Sequence, residues 1–396
     1  MKLKSSWVYK IAYGAFYLAV IIEELLVIID KSNYTNPLEG RLFQIAFLLF
    51  FTKVCLTKYT WKEYICIFLF SLLALFSYFI TGRNEIVRLI VFIAACKDID
   101  MYKCLKLVFW LTLAGCVLII LLSVSGIYGG IFLTQDYGRG GVETRYTLGM
   151  GHPNALQCMV WALTTLGLYL YGISFKWYVY MIVIGINIFF FFLTDSKTSL
   201  LVSMLTIMLF WVSAKCRYIW VKKVIGCLDI AMTLGSVLIS VIIAANAYRL
   251  YDYAWHGDTS LITMLFYKIN EILNGRIRIL TANVGHRGTI ATWSLFGKLE
   301  DDFFFDLGWI RLFYWYGIIP GCIFVGVLII LLFYYWKKKD FMSITLITSI
   351  SLYNIAEAHV ISRYLARNYI FFLIGAVWCI IVSGDKKEEI SVGKVG

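Results

Sequence analysis

Residues 104–125 read CLKLVFWLTLAGCVLIILLSVS, a run with one charge, Lys106, near its start. A helix needs about 20 mostly apolar residues to cross the roughly 30 Å hydrocarbon core of a bilayer. Inside that core every backbone N–H and C=O must be satisfied within the protein, so only helices and closed barrels span it. Barrel strands alternate apolar and polar residues over about 10 positions. This run is continuously apolar and reads as a membrane-spanning helix.

Eleven further segments on either side read the same way: 7–29, 41–57, 63–81, 84–96, 152–172, 177–194, 199–214, 224–246, 308–335, 341–359 and 364–383. The fourth, 84–96, is short and carries Arg88, which also suits a re-entrant segment. Composition agrees. The 396 residues are 61% hydrophobic and 15% charged, with a mean hydropathy of +0.79. Soluble domains are about 45–50% apolar and about 25% charged. A soluble enzyme, a disordered chain and a secreted disulfide scaffold are excluded. The expectation is an all-α polytopic membrane protein of about twelve transmembrane helices. It forms a single domain, 1–396, without internal repeats, and its first apolar stretch lacks the features of a cleaved signal.

The formal charge is +12. In a membrane protein basic residues first report topology, because they collect on the cytoplasmic side. With the N-terminus inside, 20 of the 36 Lys and Arg fall inside. Both termini are then cytoplasmic, and deleting the span 84–96 would invert every later loop. The two residue types part company: 19 of 23 Lys are inside, whereas 12 of 13 Arg are outside. Arg is a planar fork that holds phosphate or carboxylate bidentately, and Lys is a point charge. Snorkelling to lipid phosphates is the competing account. Clustering of Arg in two external loops favours an anion-holding face, with no nucleic acid as partner. The ten cysteines lie in spans or on the inner side, so no structural disulfide is expected. No CxxC pair or His-rich cluster points to a metal.

The first external loop, 126–151, is Gly-rich and holds Arg139, Glu143 and Arg145. Its glycines would turn backbone N–H groups toward an anion. It leads into His152-Pro153-Asn154, with Pro suited to a first helical turn. The second, 247–306, is long enough to imply function. Within it 260–273 has helical apolar spacing suited to a membrane surface, ended by Asn274-Gly275. Arg276, Arg278, His286 and Arg287 follow, then Glu300-Asp301-Asp302 and Asp306. Ionisable groups at membrane depth normally face a partner or cavity. Glu23 and Glu24 could pair with Arg88, while Glu357 and His359 end one span and Arg363 and Arg367 open the next on one helical face.

In this order the chain carries Arg145-Tyr-Thr-Leu-Gly-Met-Gly-His-Pro-Asn154, Asp195-Ser-Lys-Thr-Ser199, Leu273-Asn-Gly-Arg276, Ser294-Leu-Phe-Gly297, Asp306-Leu-Gly-Trp-Ile-Arg311 and Tyr316-Gly-Ile318. The set resembles the Wzy-type repeat-unit polymerases of the O-antigen polymerase and ligase superfamily, most of all the capsule polymerases of Gram-positive cocci. The Arg-x10-Gly spacing of some Gram-negative members is not met, since Arg287 stands eleven positions after Arg276. His286 and Gly297 do have that spacing.

The resemblance implies a GT-C-like, inverting glycosyltransferase that needs neither metal nor cofactor. It would move a growing glycan from undecaprenyl pyrophosphate to a lipid-linked repeat unit on the outer face of the cytoplasmic membrane. Partners implied are that lipid-linked oligosaccharide, membrane lipids, a flippase and a chain-length regulator. A pyrophosphate leaving group calls for Arg forks; the candidates are Arg139, Arg145, Arg276, Arg278, Arg311 and Arg363, with Asn154 and Lys197 orienting sugar or phosphate. The accepting hydroxyl calls for a base; His286 and Asp306 stand ahead of His152 and Glu357. The sister ligase activity shares this logic. A lipid-linked oligosaccharide flippase would more commonly show repeated halves and interrupted helices.

Overall fold

The computed structural model describes residues 7–136, 141–299, 301, 303–358 and 362–384. They are nearly all helical. In chain order the helices are α1 (Trp7–Lys31), α2 (Glu39–Cys55), α3 (Trp61–Thr81), α4 (Glu85–Ala95) and α5 (Met101–Val124). A hairpin of β1 (Phe132–Asp136) and β2 (Val142–Tyr146) follows, paired antiparallel with Leu133 opposite Arg145. Next come α6 (Pro153–Tyr171), α7 (Trp177–Thr194), α8 (Lys197–Lys215), α9 (Ile219–Asn246), α10 (Tyr248–His256), α11 (Leu261–Ile272) and α12 (Arg276–Ile279). The last four are α13 (Gly308–Tyr316), α14 (Ile318–Lys338), α15 (Phe341–Tyr353) and α16 (Tyr369–Ser383).

Among the described residues seven helices are long and apolar enough to cross a membrane: α1, α3, α5, α7, α8, α9 and α14. Their outward faces are apolar, as lipid contact requires; Phe79, Leu121, Phe192 and Leu201 are all well exposed. The shorter α15 sits at the centre, against α6, α8, α9, α14 and α16. Nearly all of it is buried, and it is rich in hydroxyls. Thr345 donates to Asp229 Oδ2 at 2.7 Å, while Thr348 meets Thr233 at 2.9 Å and Ser349 meets Thr206 at 2.7 Å. Between membrane helices apolar burial supplies little attraction, so small side chains and interhelical hydrogen bonds hold the contact. Arg88 of α4 is buried on Glu23 of α1 at 2.6 Å, and Glu24 accepts from Thr112. Three of the ionisable groups that the sequence places at membrane depth thus have partners, with Glu24 held by Thr112 rather than by Arg88.

The expected single span over 308–335 is two helices. The chain breaks at Gly317, with φ 98° and ψ 170°. The first N–H groups of α14 turn to another segment: Ile318 donates to Ser294 O at 2.9 Å and Ile319 to Leu295 O at 3.0 Å. Gly297 donates back to Tyr316 O at 2.9 Å. The late loop therefore caps the interrupted helix, and two motifs distant in sequence form one crossing. The segment 341–359 is helical only to Tyr353, and 364–383 only from Tyr369, after a short 3-10 turn over Leu365–Arg367. Arg363 and Arg367 consequently do not share a helical face. Among the described residues the Gly-rich loop 126–151 holds the hairpin. The amphipathic stretch 260–273 forms the helix α11, and Asn274 and Gly275 end it with φ of 54° and 79°.

Candidate functional site

The turn after α11 aims Arg276 inward. Gly275 N–H closes on Asn270 O at 2.8 Å, and Asn270 Oδ1 accepts from Arg278 N at 3.0 Å. Arg276 is then buried while Arg278, two residues on, is exposed. Arg276 Nη2 bonds Glu357 Oε1, and its Nε lies 3.4 Å from Asp306 Oδ2. Asp306 and Glu357 meet because their backbones do. Gly308 N–H donates to Asn354 O at 3.0 Å, and a Cβ on Gly308 would overlap the Asn354 side chain. Only glycine lets the start of α13 come this close to the end of α15. Glu357, with its side chain 16% exposed, holds the guanidinium through Oε1, whereas the Asp306 side chain keeps 37% of its surface open.

Below this group Tyr353 stacks on Trp161 of α6, with centroids 4.0 Å apart and planes within 8°. Its hydroxyl meets Ser199 Oγ at 3.1 Å. The segment 195–199 is thereby tied to the same place. Asp195 closes α7 with φ 48° and its carboxylate lies 3.4 Å from Arg145. Arg145 of β2 is itself buried and bonds Glu143, with Nε–Oε2 at 3.0 Å. The hairpin is pinned to the end of α1: Gly151 donates to Lys31 O at 2.8 Å and Asn33 to Gly149 O at 3.2 Å. That brings in Asp30, which lies 3.6 Å from Lys31 and 4.0 Å from Arg367. Asp30, Lys31 and the Trp161–Tyr353 stack belong to the site and were not singled out from the sequence. An acid–base pair at the last turn of a span was the available signal for the first two.

His152 caps α6: its Nδ1 accepts from Asn154 N at 3.1 Å, and its Nε2 lies 3.2 Å from Gln135 Nε2. Burial holds its pKa below the ordinary 6.5. Asp306 pulls the other way, and Arg145, Arg276 and Lys31 add to the lowering. His152 is thus a neutral imidazole within the electrostatic reach of Asp306, Arg145 and Arg276. The folded protein therefore binds fewer protons there than the unfolded chain as pH falls through 6.5, so this contribution to stability is lost with falling pH. We expect the thermal midpoint in detergent to drop between pH 7.5 and 5.5. His152→Asn, which keeps a capping side chain, should flatten that slope. An unchanged slope in the variant removes His152 as its source.

Arg311 is buried, bonds Phe305 O and lies 3.9 Å from the Phe304 ring and 4.7 Å from the Trp315 ring. Arg83 covers Trp315 as well, at 3.8 Å. Asn154 is partly buried in the first turn of α6, and Lys197 is exposed at the start of α8. Besides the exposed Arg278, two expected members do not join the group. His286 is held within its own loop by Thr281 O at 2.9 Å and by the rings of Tyr248 and Tyr251 at 5.0 and 5.4 Å. Arg363 is exposed, and its carbonyl accepts from Arg88 at 2.8 Å. Sequence proximity to the charged loop could not distinguish His286 from Arg276, because the turn at 274–275 sets the direction of Arg276. Arg139 and His359 lie outside the described residues. Among the described residues no group of three or more His, Cys, Asp and Glu gathers as a metal site.

The chain matches no family model, no curated protein and no solved structure.

Proposed function

We propose that this chain is a polysaccharide repeat-unit polymerase of the Wzy type, with twelve membrane crossings, a GT-C-like plan and its site on the outer face of the cytoplasmic membrane. The observation that carries the reading is the meeting of Arg276 with Asp306 and Glu357, beside Arg145 and His152. Arg145 and His152 share one motif, Arg276 and Asp306 belong to two others and Glu357 ends a predicted span, so the group draws on more than half the chain. In this reading Asp306, the exposed carboxylate of the group, accepts the proton of the incoming sugar hydroxyl. The oxygen attacks the anomeric carbon, whose bond to the pyrophosphate breaks with inversion. His152 is less suited as the base because its Nδ1 lone pair already receives the Asn154 N–H. Arg276 uses two of its N–H directions on carboxylates and keeps others for the leaving group. Arg145 and Arg311 add positive charge that needs no reorganisation during the reaction.

The expected result is that purified protein given undecaprenyl-pyrophosphate-linked repeat units produces a ladder of longer glycans with chelator present and no nucleotide. No ladder under any condition, or strict dependence on added metal, removes the proposal. Transfer to a different acceptor without a ladder would place the chain with the ligases instead. Reporter fusions should place 247–306 outside the cytoplasm.

A further inference from the structure

A groove of about 280 Å³ runs between α3 and α4 on one side and α14 and α16 on the other. Phe70, Leu89, Ile93, Ile323 and Val327 form much of its wall, and Glu85 is the one charged residue among its described lining. Along α16 it extends from Phe371 to Val382, a helical rise of about 16 Å. That is more than half the roughly 30 Å hydrocarbon core.

A second, polar pocket of about 450 Å³ adjoins it and shares Glu85. This pocket is lined by three carboxylates (Glu39, Glu85, Asp301) and three guanidinium groups (Arg83, Arg88, Arg363). Several are already engaged. Arg88 bonds Glu23, Glu39 accepts from Tyr364 at 2.7 Å, and Arg83 donates to Asp301 O at 2.7 Å. The Tyr316 hydroxyl faces the Glu85 carboxylate, but Glu85 Oε2 is buried without a hydrogen-bond partner, and such an acceptor is costly unless something donates to it. A bare phosphate offers acceptors only and would oppose these carboxylates. Sugar hydroxyls both donate and accept, which matches a wall of mixed sign.

We propose that groove and pocket form one seat for a glycolipid with a single long hydrocarbon tail. The tail lies in the groove, the hydroxyls of the first sugar reach Glu85, and Arg363 at the exposed rim meets the linking phosphate. The shared Glu85 makes the apolar and polar parts continuous. This seat is distinct from the Arg276 group. The strap 362–368 joins them, with Arg363 on the pocket and Arg367 against Asp30. Identifying the lipid as the polymer's carrier rests on the polymerase reading; the seat itself does not.

The test uses the full chain in nanodiscs and a polyprenyl-phosphate sugar bearing a diazirine in its tail. A phosphatidylglycerol with the same label is the comparison. The sugar lipid should label peptides of α4 and α14, and Ile323→Trp or Val327→Phe, which fill the groove, should each cut that labelling at least tenfold. Ile242→Trp, on an exposed face of α9, should leave it unchanged. Glu85→Gln should weaken labelling about fivefold. Equal labelling by phosphatidylglycerol, or labelling unaffected by either filling variant in monodisperse protein, means annular lipid only and overturns the proposal. Elongation measured alongside separates the two readings. Groove labelling without elongation by the wild type removes the polymerase and keeps the seat. Elongation with no groove labelling does the reverse.

Discussion

Arg276→Gln should reduce glycan elongation by about 10²–10³-fold, the usual cost of removing one preorganised donor from a developing anion. It should also destabilise the protein. Arg276 and Glu357 are both shielded, with side chains 7% and 16% exposed, and removing one partner of a buried pair typically costs about 3–5 kcal/mol. A loss of activity alone would therefore be ambiguous. The informative variant is Arg276→Met combined with Glu357→Leu, which removes both charges together. Replacing a buried pair by apolar residues is often neutral or stabilising. The double variant should recover the thermal midpoint and remain inactive. If it recovers elongation as well, Arg276 is a structural residue and the proposed site is wrong. Arg145→Ala in addition to Arg276→Ala should leave no measurable elongation.

Gly317→Ala should prevent accumulation of folded protein in the membrane. The residue sits at φ 98° and ψ 170°, a region essentially restricted to glycine. The penalty for another residue there is about 1–3 kcal/mol. A Cβ would also meet Leu295 O and the Phe296 carbonyl carbon at 2.6 Å, both backbone atoms that side-chain repacking cannot relieve. The two costs fall on the crossing that caps α14, so relief of one does not relieve the other. Gly326→Ala is the matched control: it lies within α14 with nothing within 4 Å of the added methyl. It should be neutral or stabilising by up to about 1 kcal/mol. Comparable yield and thermal midpoint for Gly317→Ala and the wild type would show that the helix is not interrupted there.

The apolar runs place most helices to within a few residues. They do so because each run must hide its backbone from lipid over a fixed thickness, which leaves a signal in composition alone. Gly317 and Pro320 are the only local signs of the break, because the flanking residues are otherwise apolar and the partner that caps it is the separate segment 294–297. The same holds for α15. It is apolar enough to read as a span, yet its buried hydroxyls show that it faces protein rather than lipid. Arg276, a candidate anion fork, and His286, a candidate base, lie in the same loop. The left-handed turn at Asn274-Gly275 directs one inward, and ring contacts keep the other in its own loop.

By itself the sequence determined that this is a helical membrane protein, and its Lys and Arg segregation argued for an orientation and an anion-holding face. Those properties are sums over many residues, and a single misread position does not change them. Tertiary structure decided which charges meet. Asp306 and Glu357 come together on Arg276 because Gly308 lets two backbones touch, and Arg145 reaches Asp195 because the hairpin is tied to α1. A site depends on a few contacts between distant segments, and the physics of those contacts lies in close approach and direction rather than in composition.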